Sequence, residues 1–329
     1  MTTLWDTTGT AVVKALAAER RTGGAVTSGL ALTLVIVVDE KDVQEAETAA
    51  TLAASKHPMR ALMVIRRQID APVPRLDAEV VLGGRLGPGE AVVMRMHGRL
   101  ALHAESVTLP LLAPDAPVVT WWHGAPPDRI SYDPLGVFAD RRITDVGRAS
   151  ERVGALRQRA ADFAPGDTDL AWTRITAWRA TLASAFDGAT SKATWATVDG
   201  DESDPSALLL AGWLSSRLGF YVPVRRGTSG GIPIREVTIG LEDDSTIQAM
   251  RDGSRMVLRR GGQPDSFSPF PERTLGELLA EELRRLDADR VYAESLGAVT
   301  GTSGLPERPN KRVHIWNDPA LATDSATAS

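Results

Sequence analysis

Leu30-Ala31-Leu32-Thr33-Leu34-Val35-Ile36-Val37-Val38 is a nine-residue apolar run, rich in β-branched side chains and interrupted only by Thr33. It has no polar–apolar alternation, so it reads as a strand buried on both faces, the mark of a parallel sheet covered by helices. It is too short to cross a bilayer as a helix. Asp39 follows as a candidate cap for an alanine-rich helix reaching about Ser55. The small side chains of Ala46, Ala49, Ala50 and Ala53 let such a helix lie close on a sheet. His57-Pro58 stops it, because proline disfavours the helical region for its predecessor. Residues 61–66 then form a second strand. A strand–helix–strand unit of about 36 residues implies a parallel pair joined by a right-handed crossover.

Working outward, residues 9–20 read as a short helix with Val12, Val13 and Leu16 as its apolar contacts, followed by a link with Gly23, Gly24 and Gly29. Apolar runs recur at 78–82, 91–96 and 107–112, the first set off by Gly83-Gly84 and Gly87-Pro88-Gly89. Residues 117–122 read as a further strand, 126–145 as loop-rich and 150–163 as a helix. Between 162 and 169 the composition turns to Asp, Pro and Gly, which sets a domain boundary between 163 and 164. In the second half, a tryptophan-bearing helix runs to about Phe186 and a strand covers 194–198. Asp204-Pro205 opens a helix over 205–218, with Leu209, Trp213 and Leu214 facing inward. Runs at 235–242, 246–250 and 255–259 predict a small antiparallel sheet with Asp252-Gly253 as a hairpin turn. Residues 274–286 predict an amphipathic helix, and the Ala/Thr/Ser/Asp tail 317–329 is expected to be disordered. The expected class is α/β: two α/β domains, 1–163 and 164–316, the first with a Rossmann-like parallel β-α-β core.

That core lacks the nucleotide-binding fingerprint. The first strand ends Val38-Asp39-Glu40-Lys41-Asp42, a turn with three carboxylates and no glycine, where a glycine-rich turn would otherwise cradle pyrophosphate. The Walker lysine motif is absent from the sequence, and no G-x-S-x-G nucleophile elbow stands at a strand-to-helix turn, since Gly227-Thr228-Ser229-Gly230-Gly231 lies between two predicted strands. Arg225-Arg226-Gly227-Thr228-Ser229-Gly230-Gly231 reads either as a basic anion-binding nest or as a mobile hairpin loop. Of the histidines His57, His97, His103, His123 and His314, no pair has the helical spacing of a zinc site. His57, at a helix-to-strand junction, reads as a hydrogen-bond partner of a terminal carbonyl. The chain has no cysteine, which excludes thiolate catalysis, disulfides and iron–sulfur clusters. A formal net charge of −5 argues against nucleic acid or an anionic membrane as main partner. With no apolar leader segment visible, the expected location is the cytoplasm. No catalytic residue, cofactor site or metal site is expected.

The most distinctive stretch is Asp169-Leu170-Ala171-Trp172-Thr173-Arg174-Ile175-Thr176-Ala177-Trp178-Arg179, in a chain with eight tryptophans. At helical spacing Ile175, Trp178, Leu182 and Phe186 share one apolar face, with Trp172 beside it, Arg174 away from it and Arg179 at its margin. Asp167 or Asp169 can cap its start. Trp121-Trp122, at a strand end, must point to opposite faces; one is either exposed or covers the other face. Tryptophan with arginine is the chemistry of interface hot spots and equally of amphipathic cores.

Asp169 to Arg174 with Trp178-Arg179 resembles the signature of the glucose-6-phosphate dehydrogenase assembly protein family, OpcA. His57-Pro58-Met59-Arg60, Trp121-Trp122-His123-Gly124, Ala139-Asp140-Arg141-Arg142-Ile143-Thr144-Asp145 and Trp213-Leu214-Ser215-Ser216-Arg217-Leu218-Gly219 match in the expected order. The resemblance spans residues 5 to 315, and the alanine- and arginine-rich composition is similar to actinobacterial members. It implies a non-catalytic, cytoplasmic assembly factor or allosteric activator that binds glucose-6-phosphate dehydrogenase and promotes its oligomerisation and activity in the oxidative pentose phosphate pathway. It also implies that His57, Arg60, Trp121, Trp122, Asp169, Trp172, Arg174, Trp178, Arg179, Trp213 and Arg217 are partner contacts or the core supporting them. Thiol-based redox control, associated with photosynthetic relatives, is excluded by the lack of cysteine. The alternative is a sugar-phosphate- or nucleotide-binding sensor or enzyme on the same scaffold, with His57, Arg60 and Trp122 lining a pocket and Arg225 and Arg226 holding a phosphate.

Overall fold

The computed structural model describes residues 1–22, 29–83, 89–186, 191–226 and 232–310. The link at Gly23-Gly24, the turn residues 84–88, the glycine run 227–231, His314 and the tail 317–329 lie outside the described residues.

The fold is α/β, built on two sheets. The apolar run forms β2 (Leu32–Val38), buried at every position. It pairs in parallel with β3 (Met59–Arg67) on one side and β6 (Val118–Trp122) on the other. With β1 (Thr2–Leu4), β4 (Arg75–Leu82), β5 (Glu90–His97), β7 (Arg141–Thr144) and β8 (Asp167–Asp169), they make an eight-stranded sheet in the order β1-β4-β5-β3-β2-β6-β7-β8. Strands β5, β3, β2, β6, β7 and β8 are parallel, and β4 is antiparallel to β5. Alternate residues of β2 point to opposite layers, so a continuous apolar run is what a doubly covered strand requires.

Leu34, Ile36, Met63, Val93 and Trp121 face helices α2 (Val43–Lys56) and α10 (Leu275–Glu282). Val35, Leu62, Val64, Met94 and Trp122 face α1 (Gly9–Thr22), the short helices α3 (Arg99–Leu102) and α4 (Glu105–Thr108), and residues ahead of and within α5 (Pro134–Val137). Each fully buried aliphatic side chain contributes about 1.5–3 kcal/mol relative to exposure. Both members of the Trp121-Trp122 pair are thus buried, one in each layer.

The second sheet runs β10-β9-β11-β12-β13-β14: β9 (Ala193–Gly200), β10 (Val224–Arg226), β11 (Ile234–Leu241), β12 (Thr246–Asp252), β13 (Arg255–Arg260) and β14 (Ser266–Pro269). It is antiparallel apart from the β9–β10 pair. Its inner face shares a core with α6 (Arg152–Asp162), α7 (Leu170–Arg174), α8 (Thr176–Ala185), α9 (Pro205–Leu218) and α11 (Arg290–Thr300). Asp204 caps α9 by accepting from the Ser206 N–H at 2.8 Å, and Gly219 ends it in the left-handed region at φ +78°. No helix among the described residues is long and apolar enough to cross a membrane.

Several local expectations need correction. The stretch 126–145 contains β7, a buried strand disguised by two arginines. The tryptophan helix breaks at Ile175 (φ −93°, ψ 6°) into α7 and α8. The helix expected to 286 ends at Glu282, and α11 follows. Asp39 makes no side-chain cap, and a turn of 3-10 helix, Glu40–Asp42, precedes α2. Pairing of Asp252 with Arg255 moves the hairpin turn one residue on, to Gly253-Ser254.

Helix α10 belongs to the second half of the chain yet packs on α2 over the first sheet. At Gly276 an added Cβ would lie 2.8 Å from Leu52 Cβ and 3.0 Å from the Ala49 carbonyl oxygen. Gly276→Val therefore forces the two helices apart, and overpacking of this kind costs about 1–3 kcal/mol. Urea denaturation is expected to show that loss; stability equal to wild type would mean that this contact is not close-packed.

Candidate functional site

The parallel strands β7 and β8 end side by side, with Thr144 opposite Asp169. Asp169 is fully buried and caps α7: its Oδ1 accepts from the Ala171 N–H at 2.9 Å. Its Oδ2 accepts from the Thr144 hydroxyl at 2.6 Å and the Val146 N–H at 3.0 Å. Next to it Asp145 receives both terminal nitrogens of Arg174, at 2.7 and 2.6 Å. Burial, reinforced by the neighbouring Asp145 carboxylate and only partly opposed by hydrogen bonds, pushes the Asp169 carboxyl up to about 6.

One turn on, the Trp172 indole N–H donates to Asp289 Oδ2 at 2.8 Å, and the other Asp289 oxygen accepts from the Tyr292 N–H to cap α11. The Arg179 guanidinium lies 3.6 Å over the Trp172 ring. Thr173 donates to Glu282 at 2.6 Å, and Glu282 also pairs with Arg141 of β7. Trp178 meets Phe270 edge-on, ring centroids 5.6 Å apart. The short helix α7 thus ties the ends of β7 and β8 to α10 and α11, and α8 carries the second sheet from it.

In a doubly wound sheet the ligand crevice lies at the carboxyl ends of the strands where the strand order reverses, here between β2 and β6. That place holds protein side chains. The His123 N–H donates to the Val37 carbonyl at 3.0 Å, and His123 Nε2 lies 2.9 Å from Glu45, which in turn accepts from Arg148 at 3.1 and 2.9 Å. Burial, helped by the Arg148 charge, lowers the His123 pKa, with Glu45 pulling the other way. Asp39 closes on Gly124, where a Cβ would lie 3.5 Å from the carboxylate.

The structure brings Asp169, Trp172, Arg174, Trp178 and Arg179 together at the joint between the sheets, and leaves the other predicted residues apart. His57 ends α2: its N–H donates to Ala53 O at 3.0 Å, and its Nε2 donates to Ala280 O of α10 at 2.8 Å. Arg60 is buried against Glu90, its register partner on β5, and donates to Leu111 O at 2.7 Å. Trp121 and Trp122 sit in the two layers of the first sheet. Trp213 is half-buried on α9, and exposed Arg217 pairs with Glu294 of α11 at 2.9 Å. Most of these residues are core and ion-pair supports. Arg225 and Arg226 form β10 with exposed side chains.

A feature that the sequence did not single out is an exposed aromatic hollow of about 390 Å³ beside β9 and β10, lined by Trp195, Phe220, Tyr221 and Arg225 among others. Trp195 is 49% exposed and Tyr221 81% exposed. A signal for it exists: in β9, Trp195 shares its parity with Thr197 and Asp199, so a tryptophan stands on the polar side of the strand.

The raised Asp169 carboxyl has a defined sign. A folded-state pKa near 6 against an unfolded value near 4 means that the folded chain binds the extra proton, so this group's stabilisation is lost as pH rises toward 6. Between roughly pH 4.5 and 7.5 the stability of wild type relative to Asp169→Asn is expected to fall by about 2 kcal/mol. His123 titrates in both proteins and cancels. Urea denaturation across that range checks it; a pH-independent difference would contradict a buried carboxyl with a raised pKa.

Comparison with known proteins places this architecture. Residues 50–161 match the model described as the glucose-6-phosphate dehydrogenase subunit N-terminal domain, and residues 165–296 match its C-terminal domain. The OxPP cycle protein OpcA of Synechococcus elongatus is 28% identical over 240 residues, covering 57% of this chain and 54% of that protein. The protein of the same name from Nostoc punctiforme is 26% identical over 152 residues, 42% of this chain and 32% of that one. The chain spans about half the length, or less, of these curated relatives. Among solved structures, a dehydrogenase (MviM) from Clostridium difficile aligns at TM-score 0.35 and 8% identity, over 77% of this chain and 88% of that one. An NAD-binding oxidoreductase from Klebsiella pneumoniae aligns at TM-score 0.35 and 10% identity, over 83% and 90%. With both domain models matched in tandem and the same name on both relatives, the chain belongs to the glucose-6-phosphate dehydrogenase assembly protein family, OpcA.

Proposed function

We propose that this chain is a non-catalytic partner of glucose-6-phosphate dehydrogenase that binds the enzyme, promotes its oligomerisation and raises its activity at the entry to the oxidative pentose phosphate pathway, in the cytoplasm. The observation that carries the reading is the tandem match to both halves of a glucose-6-phosphate dehydrogenase subunit family. The geometry supports binding over chemistry. Asp145, Asp169 and Glu282, the buried carboxylates at the joint, are engaged by Arg174, by a helix cap and by Arg141. At the β2–β6 reversal, where a nucleotide sits in comparable sheets, the carboxylates of Glu45 and Asp39 stand beside His123 and Gly124, a setting that disfavours phosphate.

The partner surface we propose is the aromatic hollow beside β9 and β10. Exposed tryptophan and tyrosine next to arginine are the residues that dominate interface energies. An activator works by binding the active arrangement of its target better than the inactive one. A preference of about 1–3 kcal/mol shifts activity or substrate affinity roughly 5- to 150-fold, and by linkage substrate on the enzyme tightens the complex equally.

The test is an assay of the same organism's glucose-6-phosphate dehydrogenase, titrating glucose 6-phosphate with and without this chain. A saturable rise in rate or fall in apparent KM is expected; no kinetic change together with no co-elution would sink the reading. Trp195→Ala with Tyr221→Ala is expected to weaken association by about 30-fold or more, the loss of one hot spot, with the melting temperature unchanged. Arg174→Ala separates joint from surface: it removes both hydrogen bonds to the buried Asp145 carboxylate and, with the cleft open to water on the arginine side, should cost about 1–3 kcal/mol of stability. A normal melting temperature in that variant would show that the Asp145 pair is not structural.

A further inference from the structure

A second cavity, about 510 Å³, opens where the turn after β7 faces the second sheet. That volume lies within the roughly 300–1,000 Å³ of small-molecule sites. Five arginines from five separate segments line it: Arg148 after β7, Arg152 at the start of α6, Arg174 at the end of α7, Arg251 on β12 and Arg273 before α10. Its apolar wall is the Trp178–Phe270 pair, and the Arg251 guanidinium stands 5.5 Å from the Phe270 ring centroid.

The arginines fall into two kinds. Arg174, Arg148 and Arg273 are held by Asp145, Glu45 and Glu281 respectively, which fixes their guanidinium planes. Gly147 packs against Arg174, where a Cβ would come within 3.3 Å of the guanidinium. Arg152 lies 4.0 Å from Asp204, at the limit of an ion pair, and Arg251 donates to the Gly253 carbonyl at 3.2 Å. The lining also includes Asp201, Asp204 and Glu272. Asp201 and Asp204 are engaged locally, Asp201 by Ser203 and Asp204 by the start of α9. Guanidinium groups positioned by carboxylates behind them, beside two that are only weakly held, suit a phosphate, which accepts fork-like hydrogen bonds. The aromatic wall suits a flat ring.

We propose that this cleft binds a small phosphate ester carrying a planar ring, of the size of a nucleoside monophosphate, with the phosphate on Arg152 and Arg251 and the ring against Phe270, which buried Trp178 backs edge-on. The site joins the turn after β7, the loop ahead of α9 and the segment ahead of α10, so a bound ligand spans the joint between the sheets. It is independent of the partner reading, because binding is measured on this chain alone.

The experiment is calorimetric titration of the full chain with AMP, with adenosine and inorganic phosphate as separate arms. AMP is expected to bind one site, with each fragment at least about tenfold weaker. Arg152→Gln with Arg251→Gln should weaken AMP about tenfold for each charge-assisted hydrogen bond removed, at an unchanged melting temperature. Arg152→Glu keeps the question decidable should the double variant be unstable: the position is exposed at the start of α6, where a carboxylate favours the helix, and AMP affinity is still expected to drop. No AMP binding up to about 5 mM, phosphate alone binding as tightly as AMP, or wild-type affinity in the arginine variants overturns the proposal.

Discussion

The carboxylates of Asp145 and Asp169 sit at the ends of two neighbouring parallel strands, and the rest of the molecule is arranged around how they are satisfied. Arg174 neutralises the first through two hydrogen bonds. Backbone N–H groups and the Thr144 hydroxyl hold the second. Two carboxylates this close cannot both be left charged and buried without such partners. Their partners lie on α7 and on the turn after β7, so satisfying them sets where the chain leaves the first sheet. From α7 the Trp172–Asp289 and Thr173–Glu282 bonds draw in α11 and α10. The two sheets are therefore joined by a polar network inside an apolar shell, not by a linker.

Buried charge recurs in the first sheet. Arg60 pairs with Glu90 across β3 and β5, Arg141 with Glu282 of α10, and Arg142 with Asp167 across β7 and β8. Such pairs add little net stability compared with apolar packing, because desolvation offsets the attraction. Their effect is on uniqueness: a slip of one residue in register would move the Arg60 or Arg142 guanidinium to the other face, stranding the Asp167 carboxylate and leaving Glu90 with Arg20 alone. The Arg141 pair acts at longer range, fixing α10 on the sheet that the first half of the chain builds.

The family signature acquires a physical meaning from this arrangement. Asp169 caps, Trp172 and Arg179 stack, Arg174 pairs with Asp145, and Trp178 closes the aromatic wall. These residues make the joint, whereas aromatic side chains open to solvent, Trp5, Trp195, Tyr221 and Phe267, are elsewhere. Residues that stand out most in a sequence need not be those a partner touches, since a joint that needs several well-aligned polar partners restricts residue choice as strongly as an interface does.

Much of the fold was legible residue by residue. The continuous apolar run, the alanine helix and the His57-Pro58 stop specify β2, α2 and β3, because burial on both faces and close helix packing leave few other side chains possible. Asp204-Pro205 and Gly219 bracket α9 by cap chemistry that is local to the chain. The missing glycine turn after β2 was legible too, since a phosphate cradle has to be built from adjacent backbone. Strand β7 was hidden because Arg141 and Arg142 look like surface residues until Glu282 and Asp167 arrive from 141 and 25 residues away. The break at Ile175, the sides taken by Trp121 and Trp122, the pairing of Arg174 with Asp145 and the five-arginine cleft depend likewise on partners distant in sequence. Local chemistry determined the elements and left the turn after β2 without a glycine cradle. Tertiary structure decided which charges are buried and which surfaces are free, because burial and charge pairing are properties of neighbours in space.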